Sequence, residues 1–188
     1  MINVSVFDDM TLCTDQEVER MLMLVPEPRR GEALKFKHTF GRFACLKSYL
    51  MLADLLRSEF GLEEFRMETG EHGKPFLPGH SDIHFNISHC QKAIAVVVSD
   101  KPVGIDVEAF RKFNDGLLDK SMNATEKAEI LGSDSPEETF ACYWTRKEAV
   151  FKMQGTGITD NLHNILSGGV TTGTKVNREK GYALSVAW

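Results

Sequence analysis

Two acidic side chains lie two residues apart in the segment VGIDVE, at Asp106 and Glu108. On a β-strand this spacing points both to one face, and Ile105 and Val107 then face the other side. Neighbouring carboxylates repel each other unless a cation or a proton lies between them. The pair therefore suits a metal site, although spacing alone favours two solvated acids at the edge of a sheet.

A second group with chemical potential is Trp144, Glu148 and Lys152, which a helix would place on one stripe because they are spaced by four residues. The order Glu148 to Lys152 is typical of a surface ion pair, worth about 0.2–0.5 kcal/mol, with Trp144 as a core residue. The same stripe also suits a site where the carboxylate binds a hard cation and the lysine binds phosphate. The pattern alone favours the ion pair.

A third group could bind phosphate oxygens. Lys74 lies between Gly73 and Pro75, which predict a tight turn. Ser88 and His89 follow a short strand pattern, and a hydroxyl and an imidazole can both donate hydrogen bonds to phosphate. The histidines show no zinc-motif spacing, and the chain contains neither a P-loop nor a GxGxxG motif.

The elements that must position these residues begin with the segment MINVSVF, which predicts a strand. Thr14 and Glu17 have the spacing of a capping box and predict a helix start, and Pro26 interrupts that helix. A second helix is predicted from about residue 40 to residue 60, with Gly61 as its stop signal.

The pattern changes to strands after Asp82. IHFNIS alternates, and AIAVVVS is a nearly continuous β-branched run of the kind found in a well-covered central strand. The turn at 100–102 predicts that VGIDVE is the returning strand.

Two later helix starts are predicted at Asn123 with Glu126 and at Ser135 with Pro136. The second of these helices should run through YWTRKEAVFK and end near Gly155, and YALSVAW should close the chain as an alternating strand. Hairpins and helices without regular βαβ alternation favour an α+β fold.

The composition is that of an ordinary globular protein, with 42% hydrophobic and 26% charged residues, which argues against a disordered or fibrous chain. Four scattered cysteines without a CxxC pair indicate reduced thiols. No apolar run approaches the roughly 18 residues of a membrane span, and MINVSVFDDM lacks the features of a signal peptide. A net charge of −5 argues against general nucleic-acid binding. We therefore expect a cytoplasmic protein that binds neither nucleic acid nor membranes.

Four motifs together resemble the 4′-phosphopantetheinyl transferase superfamily, specifically the larger, two-half type that activates carrier proteins of peptide synthases such as surfactin synthetase. They occur in the family's order and at similar intervals: GKP (73–75), FNISHC (85–90), VGIDVE (103–108) and WTRKEAVFKMQGTGI (144–158). The smaller type of the family carries its acidic strand near the N-terminus and assembles as a trimer. Here about a hundred residues precede that strand, so the resemblance favours the larger type.

The resemblance implies a pseudo-dimer of two similar α+β halves in one monomeric chain. Residues 1–100 would form the N-terminal half, with the coenzyme A phosphate contacts. Residues 101–188 would form the C-terminal half, with the metal-binding carboxylates. The active site would lie in the cleft between the halves.

The activity that the resemblance implies is transfer of 4′-phosphopantetheine from coenzyme A to a serine of an apo acyl or peptidyl carrier protein. The reaction would require Mg²⁺ and release 3′,5′-ADP. Asp106 and Glu108 would bind the metal, and Glu148 would be a third ligand or the general base that takes the serine proton. Lys152 would stabilise the pyrophosphate or protonate the leaving group.

Coenzyme A phosphates would bind Lys74, Ser88 and His89. For the 3′-phosphate the candidates are cations of the first half, each also compatible with an ordinary surface charge: Lys37, Arg42 and Lys47. The carrier protein would dock near residues 110–130, whose apolar side chains could equally be core.

Two alternatives remain open from the sequence. One is a non-catalytic module that binds carrier proteins, although the intact acids and Lys152 argue against it. The other is a different Mg²⁺-dependent phosphoester enzyme, such as a nucleotide hydrolase.

Overall fold

The structure, a computed structural model, describes residues 1–70, 73–155 and 162–188. The predicted first strand is present as β1 (Ile2–Phe7). Three helices follow it: α1 (Asp15–Leu22), α2 (Glu27–Leu34) and α3 (Thr39–Phe60). Two short strands and a hairpin complete this part of the chain: β2 (Glu68–Thr69), β3 (Pro75–Phe76), β4 (His84–Cys90) and β5 (Ala93–Ser99).

The rest of the chain follows the same order of strand, three helices and hairpin, without a counterpart of β2 and β3 among the described residues. It begins with strand β6 (Gly104–Ala109). Three helices follow: α4 (Asp115–Ser121), α5 (Ala124–Leu131) and α6 (Pro136–Gln154). The hairpin of β7 (Thr172–Asn177) and β8 (Tyr182–Ala187) ends the chain.

Two three-stranded antiparallel sheets have the same topology. In the first, β5 lies between β1 and β4, and in the second, β8 lies between β6 and β7. Along the chain, each sheet begins with an edge strand. Helices follow, of which the last is the longest, and then a hairpin whose second strand is the central strand of the sheet. The predicted α+β class is confirmed by this mixture of helices and antiparallel sheets.

The helix ends follow the local signals in the sequence. Thr14 accepts a hydrogen bond from the Glu17 amide at 3.2 Å, at the start of α1. Asn123 and Glu126 form a complete capping box at the start of α5. Gly61 and Gly155 follow α3 and α6 with φ of 64° and 70°, a left-handed conformation that glycine adopts without strain.

The predicted interruption of the first helix is confirmed, because α1 ends at Leu22, and Pro26 directly precedes α2, which has Pro28 in its first turn. Two expectations were wrong. The segment VGIDVE does not return beside β5; β6 pairs with β8 instead, with Asp106 opposite Ser185. Strand β8 is not half-exposed: all six residues are buried, because it is the central strand of its sheet. Helix α4 and strand β7 had not been predicted.

The two sheets pack on each other through apolar side chains. Ala95 and Val97 of β5 share a core with Val107 of β6 and with Leu184 and Val186 of β8. The other face of β5 packs in the first core, together with residues of α3. Strands β4 and β6 are therefore held close together, and the polar residues of both meet there. No described helix is both long enough and apolar enough to cross a membrane.

Candidate active site

A glycine allows α6 to lie directly on β6. A Cβ atom at Gly104 would be 2.0 Å from the carbonyl oxygen of Ala149 and 2.5 Å from the amide nitrogen of Met153, both in α6. Since side chains alternate along a strand, Asp106 and Glu108 share the Gly104 face and point towards α6. The sequence-based prediction that both acids lie on one face is consistent with this packing.

Asp106 is the centre of a buried polar cluster. Its carboxylate is 3% exposed, and Oδ1 accepts hydrogen bonds from Lys152 Nζ at 2.6 Å and from Ser88 Oγ at 2.8 Å. Lys152 Nζ also donates to Ser88 Oγ at 3.0 Å. Strand β4, strand β6 and helix α6 therefore each contribute one side chain to the cluster.

The ion pair of Lys152 joins it to Asp106, 46 residues away in sequence. The simple explanation of the helical stripe, a pair between Glu148 and Lys152, is thus not the arrangement that the structure shows. The other oxygen of Asp106, Oδ2, is buried and has no hydrogen-bond partner among the described residues. A buried carboxylate oxygen without a partner is costly, so this atom needs a cation or a donor.

Two side chains of β4 accept hydrogen bonds from the backbone of β6. Asn86 Oδ1 accepts a hydrogen bond from the Ile105 amide at 2.9 Å, and Ser88 Oγ accepts one from the Val107 amide at 3.3 Å. Both side chains are buried. Sequence reasoning missed Asn86, although a polar residue at a buried position of an alternating strand is a signal of such a role.

Two glutamates beside Asp106 have raised pKa values. Burial, followed by repulsion from Asp106, raises the pKa of Glu148 to about 7. Burial and then the same repulsion also raise the pKa of Glu108, whereas the charges of Arg111 and Lys152 lower it. Such raised values indicate carboxylates whose negative charge is incompletely neutralised by the protein.

The remaining predicted phosphate ligands lie around this cluster in different settings. Lys74 Nζ donates to the carbonyl oxygen of Met153 at 2.8 Å, and burial lowers the pKa of the lysine. His89, at the exposed end of β4, presents its ring edge-on to Phe40. Ser88 is 6% exposed, and its hydroxyl donates to Asp106. Its side chain is therefore buried beside the carboxylate and does not lie on an open surface.

The three predicted 3′-phosphate cations lie in different settings. Lys37 is exposed, Arg42 donates to the carbonyl oxygen of Phe36 at 2.9 Å, and Lys47 lies over the ring of Phe7 at 4.2 Å. Their role in binding coenzyme A stays a prediction.

A different cation, Arg29, lines two adjoining cavities of about 450 and 220 Å³ beside the first sheet. The smaller cavity reaches His89, and the larger one reaches Pro75 of the predicted GKP turn. The guanidinium donates to the carbonyl oxygen of Cys45 at 2.6 Å and lies 5.5 Å from the ring centre of Tyr49. Nothing in the sequence distinguished Arg29 from other surface cations, because the cavity is formed by segments that are distant along the chain.

The predicted docking residues lie partly in the core. Leu118 and Met122 are buried in a cluster with Phe140, and the Phe113 ring stacks on Phe140 with ring centres 4.7 Å apart. The basic residue Arg111, by contrast, is exposed three positions after Glu108. The final residues of the fourth motif, 156–158, lie outside the described residues.

The cluster suits a hard divalent cation in its chemistry. Carboxylate oxygens are the ligands that Mg²⁺ prefers, and Asp106 Oδ2 is a buried carboxylate oxygen without a partner. Within residues 1–70, 73–155 and 162–188, however, no three His, Cys, Asp or Glu side chains are already placed together as a metal-binding group. The three-carboxylate ligand set therefore stays a prediction.

Comparison with known proteins bears on the acidic strand and on α6. The sequence pattern of the 4′-phosphopantetheinyl transferase superfamily matches residues 102–183. This range includes Asp106, Glu108, Glu148 and Lys152, and it does not include the GKP and FNISHC motifs.

Curated proteins extend the similarity over more of the chain. The 4′-phosphopantetheinyl transferase Sfp of Bacillus subtilis (strain 168) is 27% identical over 150 residues, which cover 78% of this chain and 67% of the relative. The transferase HetI of Nostoc sp. is 33% identical over 156 residues, 79% of this chain and 61% of the relative. AcpT of Salmonella typhimurium is 36% identical over 95 residues, 47% of this chain and 49% of the relative. The predicted resemblance, including the larger type, is confirmed by these matches.

Proposed function

We propose that this chain, a member of the 4′-phosphopantetheinyl transferase superfamily, transfers 4′-phosphopantetheine from coenzyme A to a serine of an apo carrier protein. The observation that carries the proposal is the cluster of Asp106, Ser88 and Lys152, which joins both sheets and α6. A partly buried group of acids beside a lysine is suited to an anionic phosphate ester that arrives together with a divalent cation.

Coenzyme A would bind along the first sheet, in the adjoining cavities lined by Arg29. His89 at one end of these cavities is near enough to Lys152 for that charge to lower its pKa, after the larger effect of burial. A ligand lying here would have its nucleotide between α2, α3 and the β2–β3 hairpin, and its pyrophosphate towards Lys152. Lys74 and His89 would bind the phosphates of coenzyme A.

The reaction forms a bond between the serine oxygen of the carrier protein and the β-phosphorus of coenzyme A. The bond from that phosphorus to the bridging oxygen breaks, and 3′,5′-ADP leaves with the electron pair. Glu148, with a pKa of about 7, is suited to accept the serine proton near neutral pH, because a base works best when its pKa lies near the working pH. Lys152 Nζ would stabilise the pyrophosphate or protonate the departing oxygen.

Asp106, Glu108 and Glu148 would hold Mg²⁺. When bound, the ion neutralises charge on the pyrophosphate oxygens. The carboxylate of Glu148 is suited to either role, as a ligand of the ion or as the base. Ser88 would act from behind, by donating to Asp106 Oδ1 and so fixing the direction of Oδ2.

The matching topology of the two sheets supports a pseudo-dimer with halves of residues 1–100 and 101–188. We also propose that the chain acts as a monomer and that the site lies between those halves. The carrier protein would approach near the end of β6, where Arg111 and Lys112 are exposed. Basic side chains there would attract an acidic carrier protein.

The test is to incubate the purified protein with coenzyme A, Mg²⁺ and several apo carrier proteins, and to measure the mass of each carrier. We expect one added phosphopantetheine group with the wild type and none with Glu148→Gln. Glu179→Gln, which removes the same charge at an exposed position, should retain transfer. Release of inorganic phosphate from nucleotides would support a hydrolase, and coenzyme A binding without turnover would support a non-catalytic module.

A further inference from the structure

One lysine of the fourth motif takes no part in the site described above. Lys147 directly precedes Glu148 but is fully buried, and its Nζ donates to Glu126 Oε2 at 2.7 Å and to the carbonyl oxygen of Leu162 at 2.6 Å. Consecutive helical residues point about 100° apart, so the side chain that follows it can face the site while Lys147 faces α5. Its sequence context suggests a phosphate-binding cation, whereas its contacts are structural.

Glu126 connects the same ion pair to the start of α5. Glu126 Oε2 also accepts a hydrogen bond from the Asn123 amide at 2.8 Å, which is half of the capping box. The side-chain amide of Asn123 in turn donates to the carbonyl oxygen of His163 at 3.1 Å. A single buried junction therefore joins the first turn of α5, the middle of α6 and the chain at residues 162–163.

A buried ion pair adds little net stability to the contact between these three segments. Its desolvation can cancel its attraction, so an apolar pair of similar volume is often as stable. What the charges add is specificity, because an apolar contact tolerates sliding whereas a lysine must meet both of its acceptors. This junction is therefore suited to fixing position more than to raising stability.

The junction reaches the site through Trp144. Ile130 of α5 and Phe140 of α6 are buried in one cluster, and Trp144 packs against that cluster with its ring stacked on Phe140, ring centres 6.1 Å apart. Trp144 also lies one helical turn before Glu148 on α6. A shift of α5 would therefore be transmitted to the helix that carries this acid of the site.

We propose that Lys147 is a positioning residue whose ion pair with Glu126 fixes α5 and the chain at Leu162 on α6, and thereby the place of Trp144 one helical turn before Glu148. The consequence for catalysis rests on the proposed function, and the placement of the segments does not. The residue touches no substrate in this arrangement.

The experiment uses the full chain with Trp188→Phe, which leaves Trp144 as the single tryptophan, and compares it with and without Lys147→Met. We expect amide hydrogen exchange to rise at least about tenfold in residues 124–131 and 162–167, with no change in α3. The emission maximum of Trp144 should shift. For phosphopantetheine transfer, kcat should fall at least about tenfold while KM for coenzyme A stays the same.

Two further variants separate positioning from loss of stability. Lys127→Met removes a lysine of α5, the helix that carries Glu126, and its partner Asp119 is exposed. This variant should change none of these readouts. Lys147→Met with Glu126→Gln leaves no unpaired buried charge and keeps a capping side chain, so the melting temperature should recover while the Trp144 emission stays shifted.

Unchanged exchange and emission in Lys147→Met would overturn the proposal. So would a double variant in which emission and kcat recover together with stability, because stability alone would then explain the defect. If the wild type transfers nothing to any carrier, the proposed function fails, and exchange and emission still decide whether Lys147 positions the segments.

Discussion

Replacing Gly104 by alanine should damage the candidate site without adding or removing any charge. The new Cβ would lie 2.0 Å from the Ala149 carbonyl oxygen, whereas Cβ atoms essentially never approach other atoms within 3.0 Å. The neighbours are backbone atoms of α6, so the helix must move by about 1 Å, and overpacking of this kind typically costs 1–3 kcal/mol. Alanine otherwise stabilises a strand by about 0.5–1 kcal/mol relative to glycine. A lower free energy of unfolding in Gly104→Ala would therefore come from the contact of the new Cβ with α6.

The same movement carries Glu148 and Lys152 away from Asp106, and a displacement of about 1 Å can cost 100-fold in rate. Urea unfolding should give a free energy of unfolding lower by about 2 kcal/mol, and transfer to a carrier protein should slow about 100-fold. Gly31→Ala, in helix α2 with no atom within 4 Å of its Cβ, is the control and should be neutral or stabilising. Wild-type stability and transfer in Gly104→Ala would refute the packing that we describe.

Three more predictions address charge, hydrogen bonding and substrate binding. The pKa of Glu148 is raised to about 7 from 4.5, so without metal the folded state binds more protons than the unfolded state between those pH values. The free energy of unfolding should therefore fall as pH rises through that range. Glu148→Gln should remove about 1–2 kcal/mol of this pH dependence in urea titrations, a figure already reduced for solvent screening. Asn86→Ala should cost about 1–3 kcal/mol, because the buried Ile105 amide loses its acceptor, whereas Asn164→Ala, at an exposed position, should cost under about 0.5 kcal/mol. Arg29→Met should raise KM for coenzyme A about tenfold, or about 1.4 kcal/mol, with kcat unchanged, and an unchanged KM in steady-state kinetics would remove Arg29 from the binding site.

Much of the secondary structure could be predicted because its signals are local. Thr14, Gly61 and Gly155 act within one turn of their own helix, and the structure confirms all three. The apolar run of β5 is buried as predicted, since a continuous β-branched segment suits a strand covered on both faces. The same local character explains why the pairing of β6 was wrong: nothing within VGIDVE shows that its partner begins at Tyr182.

The candidate site depended on contacts that no local pattern contains. The sequence pairs Lys152 with Glu148 by helical spacing, whereas the structure pairs it with Asp106 on a different element. Lys147 and Lys152 look equivalent in the motif, yet one is fully buried against Glu126 and the other contacts Asp106. Burial and tertiary pairing, not residue type, separate the two roles.

The most direct test of the central claim is to follow both products of one reaction containing the protein, coenzyme A, Mg²⁺ and an apo carrier protein. We predict that the carrier gains one phosphopantetheine group while 3′,5′-ADP appears in equal amount, and that both products vanish when a chelator removes the metal. An unmodified carrier with coenzyme A left intact, or 3′,5′-ADP released without any gain in carrier mass, would contradict the account.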